Sequence, residues 1–161
     1  MEEFQLLRET AKKKISLADH MLTMTYPLVH DTKLLLVVLE NVFLAMTNAM
    51  GSVLHYERLF KRVPPFTDNF ENKFILFKEK CVHKYNIDPK YTGLLREIKD
   101  IIVQHRKSPV EFVRKDRFVI CTENYKIKTI SVDQIKGYIA HAKNFIQLTN
   151  LIVSKNDRIF R

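Results

Sequence analysis

Between Leu34 and Leu54 the chain is apolar at most positions. Leu34-Leu35-Leu36-Val37-Val38-Leu39 is followed by Val42-Phe43-Leu44-Ala45-Met46 and Val53-Leu54, and no proline intervenes before Pro64-Pro65. A helix that is apolar around most of its circumference belongs at the centre of a bundle, in a dimer seam or in a membrane. Glu40, Asn41, Asn48 and Ser52 interrupt the run, and the basic exit at Arg58 and Lys61-Arg62 is followed by no second span. The pattern therefore predicts the central helix of a soluble bundle, with no membrane partner. Glu40, Asn41, Asn48 and His55 fall close to one stripe of that helix. A buried polar stripe must find partners, so it forms either a hydrogen-bonded core network or the lining of a groove or two-fold interface.

The flanking sequence supplies the elements that would cover such a helix. Phe4, Leu7, Ala11, Ile15 and Ala18 recur at three and four, one face of an amphipathic helix with Lys12-Lys13-Lys14 largely away from it. Met21 to Val29 is interrupted by Pro27 and predicts a short helical piece that breaks before Asp31, where Asp31 or Thr32 can cap the central helix. After Pro64-Pro65-Phe66, Asp68 or Asn69 caps a helix with Phe70, Phe74, Phe77 and Cys81 on one face. These rings read as core filler ahead of base-stacking platforms. Asn86-Ile87-Asp88-Pro89 starts a further helix running to about Gln104, with Leu94, Leu95, Ile98, Ile101 and Ile102 inward, and Ser108-Pro109 stops it. Arg117 to Thr122 and Tyr125 to Ile130 alternate apolar with polar around Glu123-Asn124, the pattern of a hairpin. Ser131 and Asp133 offer caps for a last helix over about Val132 to Ser154, burying Ile135, Ile139, Ala142, Phe145, Ile146 and Thr149.

A chain of 161 residues can bury roughly 70% of the surface its unfolded form exposes, which suffices for one domain without metal or disulfides. The expected fold is thus all-α: a four- or five-helix bundle over 1–161, with a small β-hairpin at about 117–130 before the last helix and a frayed tail at 156–161. Two cysteines, Cys81 and Cys121, are too few for a stapled secreted scaffold. The start Met1-Glu2-Glu3-Phe4 lacks a basic segment followed by an apolar run, so a reduced cytoplasmic protein is expected.

Charge narrows the partner class. Lys and Arg number 27 against 18 Asp and Glu, a formal charge of +9. Residues 1–60 hold six basic and seven acidic side chains, whereas 61–161 hold 21 and 11. Such a surface either keeps the protein soluble or attracts polyanions, and any phosphate contacts fall in the C-terminal two-thirds. The glycines at 51, 93 and 137 cannot form a phosphate-binding loop, and HExxH, CxxC and nucleophile-elbow motifs are absent. Cys81 and His83 point about 200° apart on a helix and have no second pair, so no metal and no cofactor are expected.

One constellation carries possible chemistry. The helix ending Leu94-Leu95-Arg96-Glu97-Ile98-Lys99-Asp100-Ile101-Ile102-Val103-Gln104-His105 turns through Arg106-Lys107-Ser108-Pro109 into the expected hairpin and the long last helix. Over roughly residues 34–155 this order resembles the HEPN family of small helical proteins. Their motif is an Arg, usually followed by a polar residue, with His a few positions on, near the end of one helix and ahead of another. Lys99-Asp100 with His105 keeps the polar position and the His spacing but replaces Arg by Lys. The resemblance implies a homodimer whose motif helices face each other and a metal-independent endoribonuclease. In that setting His105 would act as general acid/base or phosphate donor, Asp100 would orient nearby groups, and Lys99 would supply charge without the fork of Arg. The Lys departure suits the branch of the family that binds RNA or protein partners without cutting. A His closing a helix can also simply meet the terminal carbonyls and the dipole.

Around the motif lies the densest arginine-containing basic stretch: Arg106, Lys107, Arg114, Lys115 and Arg117, with Lys126 and Lys128 added by the hairpin. Such an edge can dock phosphates. The leading expectation is a basic helical protein that contacts structured or ribosomal RNA without cutting it. The alternatives are a metal-independent HEPN-type endoribonuclease using His105, and a protein-interaction adaptor or dimerisation module that pairs its apolar helix with a partner chain.

Overall fold

The computed structural model describes residues 1–107, 111–114, 117–121 and 127–155. It is mostly helical and bundle-like, as the periodicity predicts. Helix α1 (Glu3–His20) buries Phe4, Ala11, Ile15 and Ala18, and the Glu2 N–H donates to Gln5 Oε1 at 2.9 Å to close its start. A π-helical turn, Met21–Thr25, joins α1 directly to α2 (Tyr26–Val29). Pro27 lies in the first turn of α2, where its missing N–H is tolerated. The piece stops at His30, whose φ of 51° turns the chain away.

Helix α3 (Lys33–Leu59) is the centre of the molecule, packed against α1, against α4 (Phe70–Phe77), against α5 (Pro89–Lys107) and against α6 (Val132–Ser154). Asp31 Oδ1 accepts the Lys33 N–H at 3.0 Å and starts it. Its end is closed by Lys61 at φ 57°, with the Lys61 N–H on the Arg58 carbonyl and the Arg62 N–H on the Glu57 carbonyl. Leu35, Val38, Leu39, Val42, Ala45, Met46, Met50, Val53 and Leu54 are all fully buried, each large side chain contributing about 1.5–3 kcal/mol. By length and composition α3 could cross a membrane, and 56% of its most apolar window is buried inside this bundle. Of the polar residues on α3, Asn41, Asn48 and Ser52 bond to carbonyls of the helix itself, while His55 stands edge-on to Phe66. Asn41 Nδ2 donates to the Val37 carbonyl at 2.9 Å, Asn48 Nδ2 to Leu44 at 2.7 Å and Ser52 Oγ to Ala49 at 2.6 Å. The two amides turn back on their own backbone.

Asn69 Oδ1 accepts the Asn72 N–H at 3.2 Å and caps α4, which buries Phe74 and Phe77 and widens into a second π-helical turn, Lys78–Val82. Asn86 at φ 51° and the Asp88 carboxylate, which accepts the Lys90 N–H at 2.9 Å, start α5. Its inward residues Leu94, Leu95, Ile98, Ile101 and Ile102 are all buried. Ser131 and Gln134 form a reciprocal capping box at the start of α6. The face predicted for α6 is the one that is buried, extended by Tyr138, Ile152 and Val153.

Between α5 and α6 the backbone passes through β1 (Glu111–Arg114), β2 (Arg117–Cys121) and β3 (Ile127–Ser131) in an antiparallel order β1-β2-β3. Ile130, opposite Phe118, is buried. The stop at Ser108-Pro109, the hairpin turn around Glu123-Asn124 and the tail 156–161 lie outside the described residues.

Candidate nucleic-acid interface

Three helices meet on one face and build an alternating series of rings and cations. Phe70 and Phe74 sit one turn apart on α4 and stack, with centroids 5.3 Å apart and planes inclined by 27°. Phe43 of α3 closes on Phe70 at 5.2 Å. On α5, Arg96 and Lys99 are three residues apart and share a face. The Lys99 ammonium lies 5.3 Å from the Phe43 ring centre and 5.5 Å from that of Phe70. The Arg96 guanidinium lies 5.6 Å from Phe70 and 4.9 Å from Phe74, and the Lys78 ammonium lies 5.3 Å from Phe74. Read across the face, the order is Phe43, Lys99, Phe70, Arg96, Phe74, Lys78. Each such contact holds about 0.5–1 kcal/mol at an exposed site, enough to fix where a long side chain rests without removing its charge from water.

Arg96 also grips Glu71 with both arms of its fork, Nη1 to Oε1 at 2.9 Å and Nη2 to Oε2 at 2.7 Å. These bonds hold the Glu71 carboxyl below the usual carboxylate range. Beside the pair runs an open groove of about 610 Å³ lined by Glu71, Phe74, Lys78, Thr92, Gly93 and Arg96. A Cβ placed on Gly93 would meet nothing within 4 Å, so the backbone of α5 lies open to this groove. Phe43, Phe70 and Phe74 each meet another ring and at least one cation, so the surface offers an anion charges that are already held in place.

The residues singled out in the sequence are distributed around this face. Lys99 belongs to the series of rings and cations and is half-buried, Asp100 is exposed, and His105 is half-buried near the end of α5. Six residues of helix separate Lys99 from His105 by about 9 Å along the axis and about 120° around it, so one chain does not bring the two together. Arg106 is exposed. Arg114 and Arg117 are register partners across β1 and β2, Lys128 pairs with Ile120, and Lys107 is the last residue of α5. Lys115 and Lys126 lie outside the described residues. Among the described residues no group of three or more His, Cys, Asp or Glu gathers to hold a metal ion.

Two further arrangements escaped the sequence reading. Glu57, only 1% exposed, is held by Lys84 Nζ at 2.6 Å, by Arg62 Nη1 at 3.4 Å and by the Tyr85 hydroxyl. Beside it the buried Cys81 thiol is pushed up to about 12, first by desolvation and then by the Glu57 charge. Between α5 and α6 the Tyr138 hydroxyl donates to Glu97 Oε1 at 3.0 Å, and burial together with Glu97 raises that phenol to about 12. An acid inside an apolar helix near a basic exit was the available signal for Glu57. The Phe43–Lys78 series had none, because it joins side chains from three helices.

Compared with known proteins, the chain matches no family model and no curated sequence.

Proposed function

We propose that this protein binds RNA through its phosphates and does not cut it. The observation that carries the reading is the series of anchored cations: Lys99, Arg96 and Lys78 are spaced across one face by the aromatic rings beneath them. Cations held in place lose less entropy on docking a polyanion than free lysines do, and they contact backbone phosphates whatever the base sequence. Arg106 continues the positive surface at the end of α5, and the expected hairpin with Lys126 and Lys128 would extend it as a docking edge. Lys99, standing where the motif has Arg, favours binding over cleavage, since an ammonium supplies charge to a phosphate without the bidentate fork of a guanidinium. Structured RNA, with its closely spaced phosphates, is the substrate class that suits a broad, base-indifferent surface.

The test is binding of the purified protein to total cellular RNA across a salt series, followed by electrophoresis of the incubated RNA. The expected result is intact RNA and an affinity that falls steeply with salt, with Lys78→Glu plus Lys99→Glu weakening binding by about tenfold or more at low salt. Thermal denaturation of the variant checks that the fold is retained. Absence of binding at moderate salt overturns the proposal. Discrete fragments that vanish with His105→Ala would replace it with the ribonuclease reading.

A further inference from the structure

The Arg96 fork is already filled. Its two nitrogens meet the two oxygens of Glu71 at 2.9 and 2.7 Å, the parallel geometry in which a guanidinium also takes two oxygens of a phosphate. The pair is open to water, with the two side chains 38% and 52% exposed. Exposed pairs of this kind add about 0–1 kcal/mol to stability, so displacing Glu71 costs the fold little. On either side of Arg96 the cations Lys99 and Lys78 rest on rings, and neither forms an ion pair among the described residues. The one carboxylate bonded within the series therefore sits on its middle cation, the only one there whose geometry is bidentate.

We propose that Glu71 is a built-in stand-in for phosphate that occupies Arg96 in the free protein and must be displaced by an RNA phosphodiester. The inference rests on the RNA-binding reading and specifies how the same surface chooses its ligand. A tethered carboxylate competes as an intramolecular ligand, at an effective concentration in the millimolar range. A single phosphate or a mononucleotide meets that competition alone and is turned away. A polynucleotide engages Lys99 and Lys78 at the same time, so its next phosphate is itself delivered intramolecularly to Arg96. Glu71 is thus a specificity-determining residue that favours chains of phosphates over isolated ones.

The experiment uses the full chain and a short RNA hairpin, with inorganic phosphate and a mononucleotide as competitors. Glu71→Gln is expected to tighten hairpin binding by about tenfold at low salt and to steepen the log–log salt dependence by about 0.7–0.9, one additional phosphate contact. It is also expected to make binding newly sensitive to inorganic phosphate. Glu79→Gln removes the same charge from an exposed position beyond α4 and is expected to change affinity by less than about twofold. In an Arg96→Lys background, where no fork exists, Glu71→Gln should add no more than Glu79→Gln does. Equal gains from Glu71→Gln and Glu79→Gln, or a gain that survives Arg96→Lys, overturn the inference while leaving RNA binding in place. A hairpin bound by neither the parent protein nor Glu71→Gln overturns both.

Discussion

At the scale of single residues, His55 is the side chain whose surroundings most directly set a pH response. Its ring stands edge-on to Phe66 at 5.0 Å, with Glu3, Arg58, Lys73 and Asp68 as the charges that act on it. Burial, the largest influence, lowers its pKa from 6.5. The unfolded chain then takes up a proton at this position before the folded one does, so folding stability is lost as pH falls through the unfolded value and levels off once the folded imidazole protonates. The urea midpoint of the parent protein is expected to drop between about pH 7.5 and about pH 5.5, and His55→Gln should show a smaller drop over the same interval. Residue-scale chemistry was only partly legible in the sequence. Lys99 stood out through its spacing from His105, but its contact with Phe43 and Phe70 depends on how three helices pack. Asn41 and Asn48 were legible as polar intrusions, yet their partners turned out to be carbonyls one turn back on α3.

At the scale of elements, Glu57 ties the end of α3 to the connection between α4 and α5, and the tie is asymmetric. The carboxylate is 1% exposed while the Lys84 and Arg62 side chains are 41% and 42% exposed. Removing Lys84 leaves the buried carboxylate only Arg62 and the Tyr85 hydroxyl, whereas removing the carboxylate leaves an ammonium free to turn into water. Lys84→Met is therefore expected to destabilise the fold by about 1.5–3 kcal/mol, and Glu57→Gln by less, as read from chemical denaturation. The helices themselves were legible because each carries a 3.6-residue apolar period and a capping residue: Asp31 before α3, Asn69 before α4, Asp88 before α5, Ser131 before α6. The two π-helical turns were not, since a single extra residue in a helix changes no period over a long window. Phe70 and Phe74 were read as core filler, and Phe74 is indeed buried. Their second role, carrying cations on the outward side, follows from Arg96 and Lys99 facing them across α5, which no local pattern encodes.

At the scale of the whole molecule, α3 unites the core, because α1, α4, α5 and α6 all rest on it. Leu54→Ala, at a fully buried position of that helix, is expected to cost about 2–5 kcal/mol. It should lower the far-ultraviolet dichroism and tyrosine fluorescence midpoints together, since no layer can persist without the helix it covers. Two separated transitions would show instead that the helices are stabilised independently. The widened turn at Met21–Thr25 has a consequence of another kind. Losing one residue there would restore a regular helix and rotate everything that follows by about 100°, carrying Tyr26 out of the core it now fills. Side chains in this stretch can vary as long as the inward ones remain apolar, but its length cannot. Substitutions between α1 and α2 that keep the inward side chains apolar are expected to leave the fold intact, and a one-residue deletion there to lower its unfolding midpoint.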